Sequence, residues 1–280
     1  MLETIDLKKK ISKAVYRARL EELQGKLREQ QYAANVVGQA IIICLEGWEM
    51  SGKGELIKKL TAKLDPRVFR VYPETAPTPL EQRYHFLWRF LVNLPNYGQM
   101  ALFEGAWYSR VLVERCEKVT RKKYWKEAYG QINEFERWLT DDGQLVLKFW
   151  VHISKGEQRK RIKEAKHDRA MRWKVTKETR RQHRHHAIWT QAVEEMLAKT
   201  ETPHAPWTLI EGTDTRWARV RFLETITGAI EKALASRTAA TAGGNETSDK
   251  VVGMRPRQSK AASPARRLRV AAGQREVAHA

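Results

Sequence analysis

The sequence is short of cysteine. Only Cys44 and Cys116 occur in 280 residues, and neither falls in a metal-ligand or disulfide spacing. That excludes a thiolate zinc module and a disulfide-stapled secreted scaffold, and it is the cysteine usage of a cytoplasmic protein. Long apolar runs are missing as well. No stretch of about 18 apolar residues exists, so no membrane-spanning helix is expected. The first thirty residues are charged throughout, so no secretory signal is read there. There is no internal repeat and no recognised nucleic-acid-binding module. Acidic residues are scarce beside basic ones, 33 against 52, which leaves a formal net charge of +19. Such a charge implies a polyanionic partner. Charge alone leaves nucleic acid, an anionic membrane and polyphosphate open.

What is present is enough for a real core, since 42% of residues are hydrophobic and 9% aromatic. The length suits one large α/β domain with appendages. Residues 5–34 carry Ile11, Val15, Leu20, Leu23 and Leu27 at helical spacing, so residues 1–38 read as an N-terminal helical segment of one long helix or two shorter ones. Gln39–Leu45 is a short apolar run of the kind found in a strand covered on both faces. Further strands are expected at Val68–Tyr72, Met100–Phe103, Leu145–Ile153 and Trp207–Ile210. Helical patterns separate them at 54–64, 79–93, 109–119, 124–140, 154–166, 178–199 and 214–235. This alternation predicts a parallel sheet with helices on both faces over residues 39–235. Residues 236–280 are rich in Ala, Ser, Gly and Arg and read as a disordered basic tail, either a solvated appendage or an electrostatic hook.

The stretch EGWEMSGKGE, residues 46–55, fits a phosphate-binding loop, G-x-x-x-x-G-K, after a strand and before a helix. Gly47, Gly52 and Gly54 would let the backbone approach phosphate, and Lys53 would supply a mobile positive charge. The alternative is an ordinary glycine-rich turn. The Ser or Thr that usually follows the lysine to hold Mg²⁺ is lacking, because position 54 is glycine. Glu49 stands inside the loop, where a carboxylate makes sense beside Mg²⁺ or as a base; a solvated loop acid is the simpler alternative. Glu46 is a weaker candidate. A second acid is expected at the end of another core strand, and Glu104 after Met100–Phe103 supplies it. Arg110 and Arg115 follow, with Glu114 beside them.

These residues resemble the polyphosphate kinase 2 family, phosphotransferases acting between inorganic polyphosphate and nucleotides. The resemblance runs from about residue 5 to 230. It rests on EGWEMSGKGELIKKL, PTPLEQRYHFLWRFLVNLPNYGQMALFEGAWYSRVLVERCE, KFWVHISKGEQRKRIKEAKHDRAMRWKV and KTETPHAPWTLIEGTDTRWARVRFLETI. It implies a P-loop kinase-like three-layer α/β/α fold with a parallel five-stranded sheet and a helical lid at about 154–184. It implies Mg²⁺ as cofactor, held by Glu49 and Glu104, with Lys53 on phosphates and Arg110 near them. The implied partners are polyphosphate, a nucleotide acceptor (AMP, ADP or GDP) and further copies of the chain, with no membrane and no nucleic acid. The family also has Gly after the loop lysine. It has Asp where Glu49 stands, and Asp-Arg-Ser where this chain has Glu104, Gly105 and Ala106 before the matching Trp107 and Tyr108. The family arginine is therefore absent, and a member that binds polyphosphate or nucleotide without turnover is the second reading.

Residues 154–184 hold 13 Lys or Arg against four acids (Glu157, Glu164, Asp168, Glu178). By the resemblance this is the lid, and Lys163, Lys166, Arg172 and Lys174 are its polyphosphate-binding positions. The plainer alternative is a solvated basic face. His183, His185 and His186 read as surface histidines, because no carboxylate stands at ligand spacing. Trp88, Trp107, Trp138 and Trp150 read as core residues, and Trp173 as a residue that packs the lid when closed.

Overall fold

β1 (Ile41–Gly47) is buried at every position, as an apolar strand covered on both faces must be. It lies at the centre of the sheet in this computed structural model, which describes residues 1–243. The flanking strands are β2 (Phe69–Tyr72), β3 (Met100–Glu104), β4 (Leu145–His152) and β5 (Trp207–Glu211). Their order is β2-β3-β1-β4-β5, and every pairing is parallel. Parallel pairing puts all five carboxyl ends along one edge, where α/β sheets place their ligands. The register sets Leu45 opposite Glu104 and Gly47 opposite Val151, so the candidate loop and the candidate second acid emerge side by side.

Helices cover both faces, and two apolar cores result. On one face α1 (Lys13–Val36), α2 (Lys53–Thr61) and α9 (Thr215–Gly243) pack through Leu23, Leu27, Leu56, Leu60, Phe222 and Ile226. On the other, α5 (Lys122–Asp141) and α8 (His186–Thr200) pack with Trp107, Ile132, Trp150 and Val193. α1 begins at Ser12, whose hydroxyl accepts the Val15 N–H. The ion pairs Arg19–Glu224 and Lys26–Glu231 tie α1 to α9, so the N-terminal helix is integral to the domain's core. Val15, read as part of its apolar face, is exposed.

Four helical expectations need correction. The N-terminal helix starts at Lys13, so Ile11 lies before it, where the Ser12 cap fixes the start. Residues 79–93 do not form one helix. A 3-10 turn at Glu81–Arg83 and a single turn, α3 (Trp88–Leu91), flank a kink at Tyr84. Docking Phe86, Leu87 and Phe90 on the core outweighs helix continuity. Residues 109–119 reduce to a 3-10 turn at Trp107–Arg110 and one turn, α4 (Val113–Cys116). The helix expected over 178–199 is two, α7 (Lys177–Arg184) and α8, broken at His185. α9 runs on to Gly243, so the first eight residues of the expected tail are helical; the remaining 37, 244–280, lie outside the described residues. Trp138, expected in the core, is 55% exposed. No helix among the described residues is long and apolar enough to cross a membrane.

The inner face of β4 carries a charge into the core. Lys148 and Glu136 of α5 pair at 2.8 Å, both side chains 0% exposed. Lys148 also donates to the Thr200 carbonyl at 2.6 Å. Glu136 accepts from Trp107 Nε1 at 2.8 Å and from the Tyr108 hydroxyl. The pair thus joins β4, α5, the end of α8 and the turn that follows Glu104. Lys148→Met leaves a buried carboxylate uncompensated. It is expected to cost about 3–5 kcal/mol in urea denaturation. Adding Glu136→Gln, which keeps an acceptor for Trp107 and Tyr108, should restore part of the loss. A single variant within about 0.5 kcal/mol of wild type would refute this role.

Candidate active site

The loop between β1 and α2 is shaped by close approach. A Cβ on Gly47 would meet the Val151 carbonyl at 2.8 Å, so only glycine lets β1 run this close to β4. Trp48 N–H donates to that carbonyl and Ser51 N–H to the Trp48 carbonyl. Met50 has φ +65 and Gly52, the N-cap of α2, has φ +102. A non-glycine in the left-handed region is a local strain of the kind found at functional turns. The first-turn amides of α2, including Lys53 and Gly54, have no intrahelical acceptor and present a positive end. A Cβ on Gly54 would meet nothing within 4 Å.

Lys53 is 8% exposed. Its ammonium lies 3.7 Å from Glu49 and 3.8 Å from Glu74. Burial pulls its pKa down, but the carboxylates of Glu74, Glu49, Glu46 and Glu104 outweigh this and the net shift is upward. The lysine therefore stays charged. Glu46 is fully enclosed, and its Oε1 accepts the Ala106 N–H at 2.7 Å. Burial, and then Glu74, push its pKa to about 8 against the pull of Lys53. Glu74 is raised too, by burial first, with Lys53 opposing and Glu49 and Glu104 adding. Lys53, Glu49 and Glu104 are thus brought into one site, as the sequence led us to expect, together with two acids that it ranked low or missed.

The lid is docked on the loop. α6 (Lys155–His167) starts at Ser154, whose hydroxyl accepts the Glu157 N–H. Gln158, Thr179 and Gln182 are buried and converge on Glu49. The Glu49 N–H donates to Gln182 Oε1 at 2.7 Å, Gln158 Nε2 donates to the Glu49 carbonyl at 3.1 Å, and the Thr179 hydroxyl donates to Glu49 Oε2 at 3.1 Å. Arg161 donates to the carbonyls of Met50, Ser51, Gly212 and Thr213 at 2.7–3.1 Å. It braces the loop instead of facing solvent with the other lid bases. Met50 packs on Ile162, Ala165 and Val175.

Lys163, Lys166 and Arg172 are exposed, and Lys174 is half-buried with its ammonium 5.5 Å from the Trp173 ring centre. Trp173 itself is 71% exposed. Arg110 is held by Glu114 at 2.7 Å and Thr120 at 2.7 Å, over the Phe86 ring, and none of these partners is an acid of the Lys53 cluster. His186 is no surface residue. It stacks on loop Trp48 with ring centres 4.3 Å apart. Trp48 Nε1 donates to His152 Nδ1 at 3.1 Å, and burial holds His152 neutral, its pKa pulled down to about 4. His183 pairs with Gln158.

Mg²⁺ is usually held by one or two carboxylates, with water and phosphate completing its shell. Hard oxygen donors crowded around one lysine suit such an ion, and Glu49 and Glu104 are the residues that would hold it. Among the described residues no three acidic, His or Cys side chains form a ready-made cage. Glu74 carried one sequence signal that went unused: it follows the carboxyl end of β2. The lid polar residues carried none, because their partner Glu49 is more than a hundred positions away.

The Glu46 shift has a definite sign. Below about pH 4.5 the group is protonated in both states; between 4.5 and about 8 it ionises only when unfolded. Wild type therefore loses stability as pH rises through that window, and above it the loss is complete. Glu46→Gln is expected to gain on wild type by up to about 1.4 kcal/mol per pH unit there. Denaturation curves from pH 4 to 9 check this, and a pH-independent difference would refute it.

Comparison with known proteins agrees with this geometry. A family model described as Polyphosphate kinase 2 (PPK2) matches residues 10–238. A polyphosphate:AMP phosphotransferase of Pseudomonas syringae pv. tomato is 39% identical over 235 residues, covering 84% of this chain and 47% of that protein. The chain thus spans about half the length of that relative. An ADP-polyphosphate phosphotransferase of Pseudomonas aeruginosa is 34% identical, covering 78% of this chain and 72% of its own. A crystal structure of a polyphosphate kinase 2 from Pseudomonas aeruginosa PA01 superposes with a TM-score of 0.81 at 37% identity, over 84% of this chain and 51% of that one. With the P-loop kinase-like α/β/α fold, the five-stranded parallel sheet and the loop lysine all in place, the chain belongs to the polyphosphate kinase 2 family.

Proposed function

We propose that this domain moves a phosphoryl group between inorganic polyphosphate and a nucleoside mono- or diphosphate, with Mg²⁺ as cofactor. The observation that carries the reading is Lys53, a buried ammonium kept charged at the start of α2, beneath a lid of basic side chains. Relatives named as phosphotransferases acting on AMP, ADP and GDP support the substrate class. Lys53 and the first-turn amides of α2 would bind phosphate oxygens. Glu49, fixed by Thr179, Gln158 and Gln182, and Glu104 would hold Mg²⁺, which supplies charge neutralisation when bound. Lys163, Lys166, Arg172 and Lys174 would line the path of the polyphosphate chain, and a docked lid excludes the water that would hydrolyse it. Catalysis would be positioning and electrostatics. Self-association is carried in the proposal on the resemblance alone, and a cytoplasmic setting on cysteine usage.

A second reading, binding without turnover, is favoured by the acids around Lys53: Glu49 and Glu74 lie within 4 Å of its ammonium, and Gly105 replaces the family arginine. The two readings separate in one assay. The protein is incubated with Mg²⁺, long-chain polyphosphate and AMP, ADP or GDP in separate tubes, and nucleotide products are quantified. Product in any tube is expected, and Lys53→Met should lower its rate by about a hundredfold or more. Salt-dependent polyphosphate binding with no product would establish the second reading.

A further inference from the structure

Gly105 is not an empty place left by the family arginine. Its φ is +75, and a Cβ there would lie 2.6–2.7 Å from Cβ, Cγ and Cδ of Glu74. The Glu74 side chain lies across the Gly105 backbone and ends 3.8 Å from the Lys53 ammonium. Its side chain is 35% exposed, and the backbone beside it is braced. Arg89 donates to the carbonyl and hydroxyl of the next residue, Thr75, at 3.0 and 2.9 Å, and pairs with Glu81 at 3.5 Å. Gly105 N–H is fixed to the Leu45 carbonyl at 3.1 Å. An acid therefore lies against the backbone position at which the family sequence has an arginine, and no base from that position offsets it. A bare phosphate chain entering beside Lys53 meets Glu74 as a like charge; a chain that arrives with divalent cation does not.

We propose that Glu74 is a specificity-determining residue that makes the Lys53 site select the magnesium-loaded form of its phosphate ligand over the metal-free form. The inference rests on the functional reading above and narrows it to one ionic form of the ligand. It also means that Gly105→Arg cannot restore a family-like site while Glu74 remains. The arginine Cβ has no room, and its charge would be absorbed by the carboxylate.

The test uses inorganic tripolyphosphate, short enough to report this site, titrated calorimetrically into the full chain at fixed ionic strength, once with Mg²⁺ and once with chelator. Wild type is expected to bind the magnesium-loaded form more tightly. Glu74→Gln is expected to raise metal-free affinity by about tenfold, the scale of removing one like charge beside a bound anion, and to change magnesium-loaded affinity by less than about threefold. Gly105→Arg alone should lower the melting temperature, and Glu74→Gly with Gly105→Arg, which removes the Cβ at 2.6 Å as well, should regain part of it and bind metal-free tripolyphosphate more tightly still. An unchanged ratio of the two affinities in Glu74→Gln would overturn the inference and leave the functional reading standing. Wild type that binds tripolyphosphate in neither condition would overturn both.

Discussion

The ion pair between Lys148 and Glu136 is the constraint on which the site's geometry depends. Two opposite charges with no solvent contact are tolerable only when every remaining proton and lone pair finds a partner. Here the Thr200 carbonyl, Trp107 Nε1 and the Tyr108 hydroxyl supply hydrogen-bond partners, and the Trp207 ring faces the ammonium with its centre 5.2 Å away. The demand is directional. Trp107 and Tyr108 must point down into the core, so the backbone just before them must turn up at the end of β3. That turn delivers the Ala106 N–H to Glu46 and leaves Gly105 in a left-handed conformation. The second motif is thus held from below by a core interaction that touches no substrate.

The basic charge of the chain divides into two populations. Lys53 and Arg161 are committed. One is surrounded by carboxylates and the other spends its donors on four backbone carbonyls. Lys163, Lys166 and Arg172 stand in solvent, where a polyanion would meet them at full strength. The route implied for a phosphate chain therefore passes from a positive outer face to an inner site whose own balance is negative. Electrostatics alone would draw the chain to the lid and resist its last step. That last step is the one a divalent cation would ease, and it is where the acidic residues are concentrated.

Much of this was legible in the sequence. The five strands appear as short apolar runs because a buried parallel strand has no polar face to alternate. The loop is legible because phosphate binding needs glycines at fixed spacing beside a lysine. The helices around residues 79–119 were misjudged because Phe86, Leu87 and Phe90 dock individually on the core, and packing of this kind outweighs propensity. The break at His185 was hidden for a similar reason. His186 has its aromatic partner at Trp48, far away in the chain. Gln158, Thr179 and Gln182 look like ordinary lid surface until the fold sets them on Glu49, and polar pairing over such separations leaves no periodic trace. Glu74 has only its place after β2 to mark it as a site residue, because its meaning depends on what residue 105 lacks.

The two departures from a familiar phosphotransfer site have opposite physical origins. At position 54 the structure has room: a Cβ would touch nothing within 4 Å. A serine would fit, so packing does not impose the glycine that replaces the usual hydroxyl. At position 105 a side chain is blocked twice, by a positive φ and by Glu74 at 2.6 Å. That glycine is the counterpart of the acid lying on it, and it cannot take a side chain while residue 74 keeps its own. Conversion of this site therefore requires residues 74 and 105 to change together, whereas residue 54 is free to change alone.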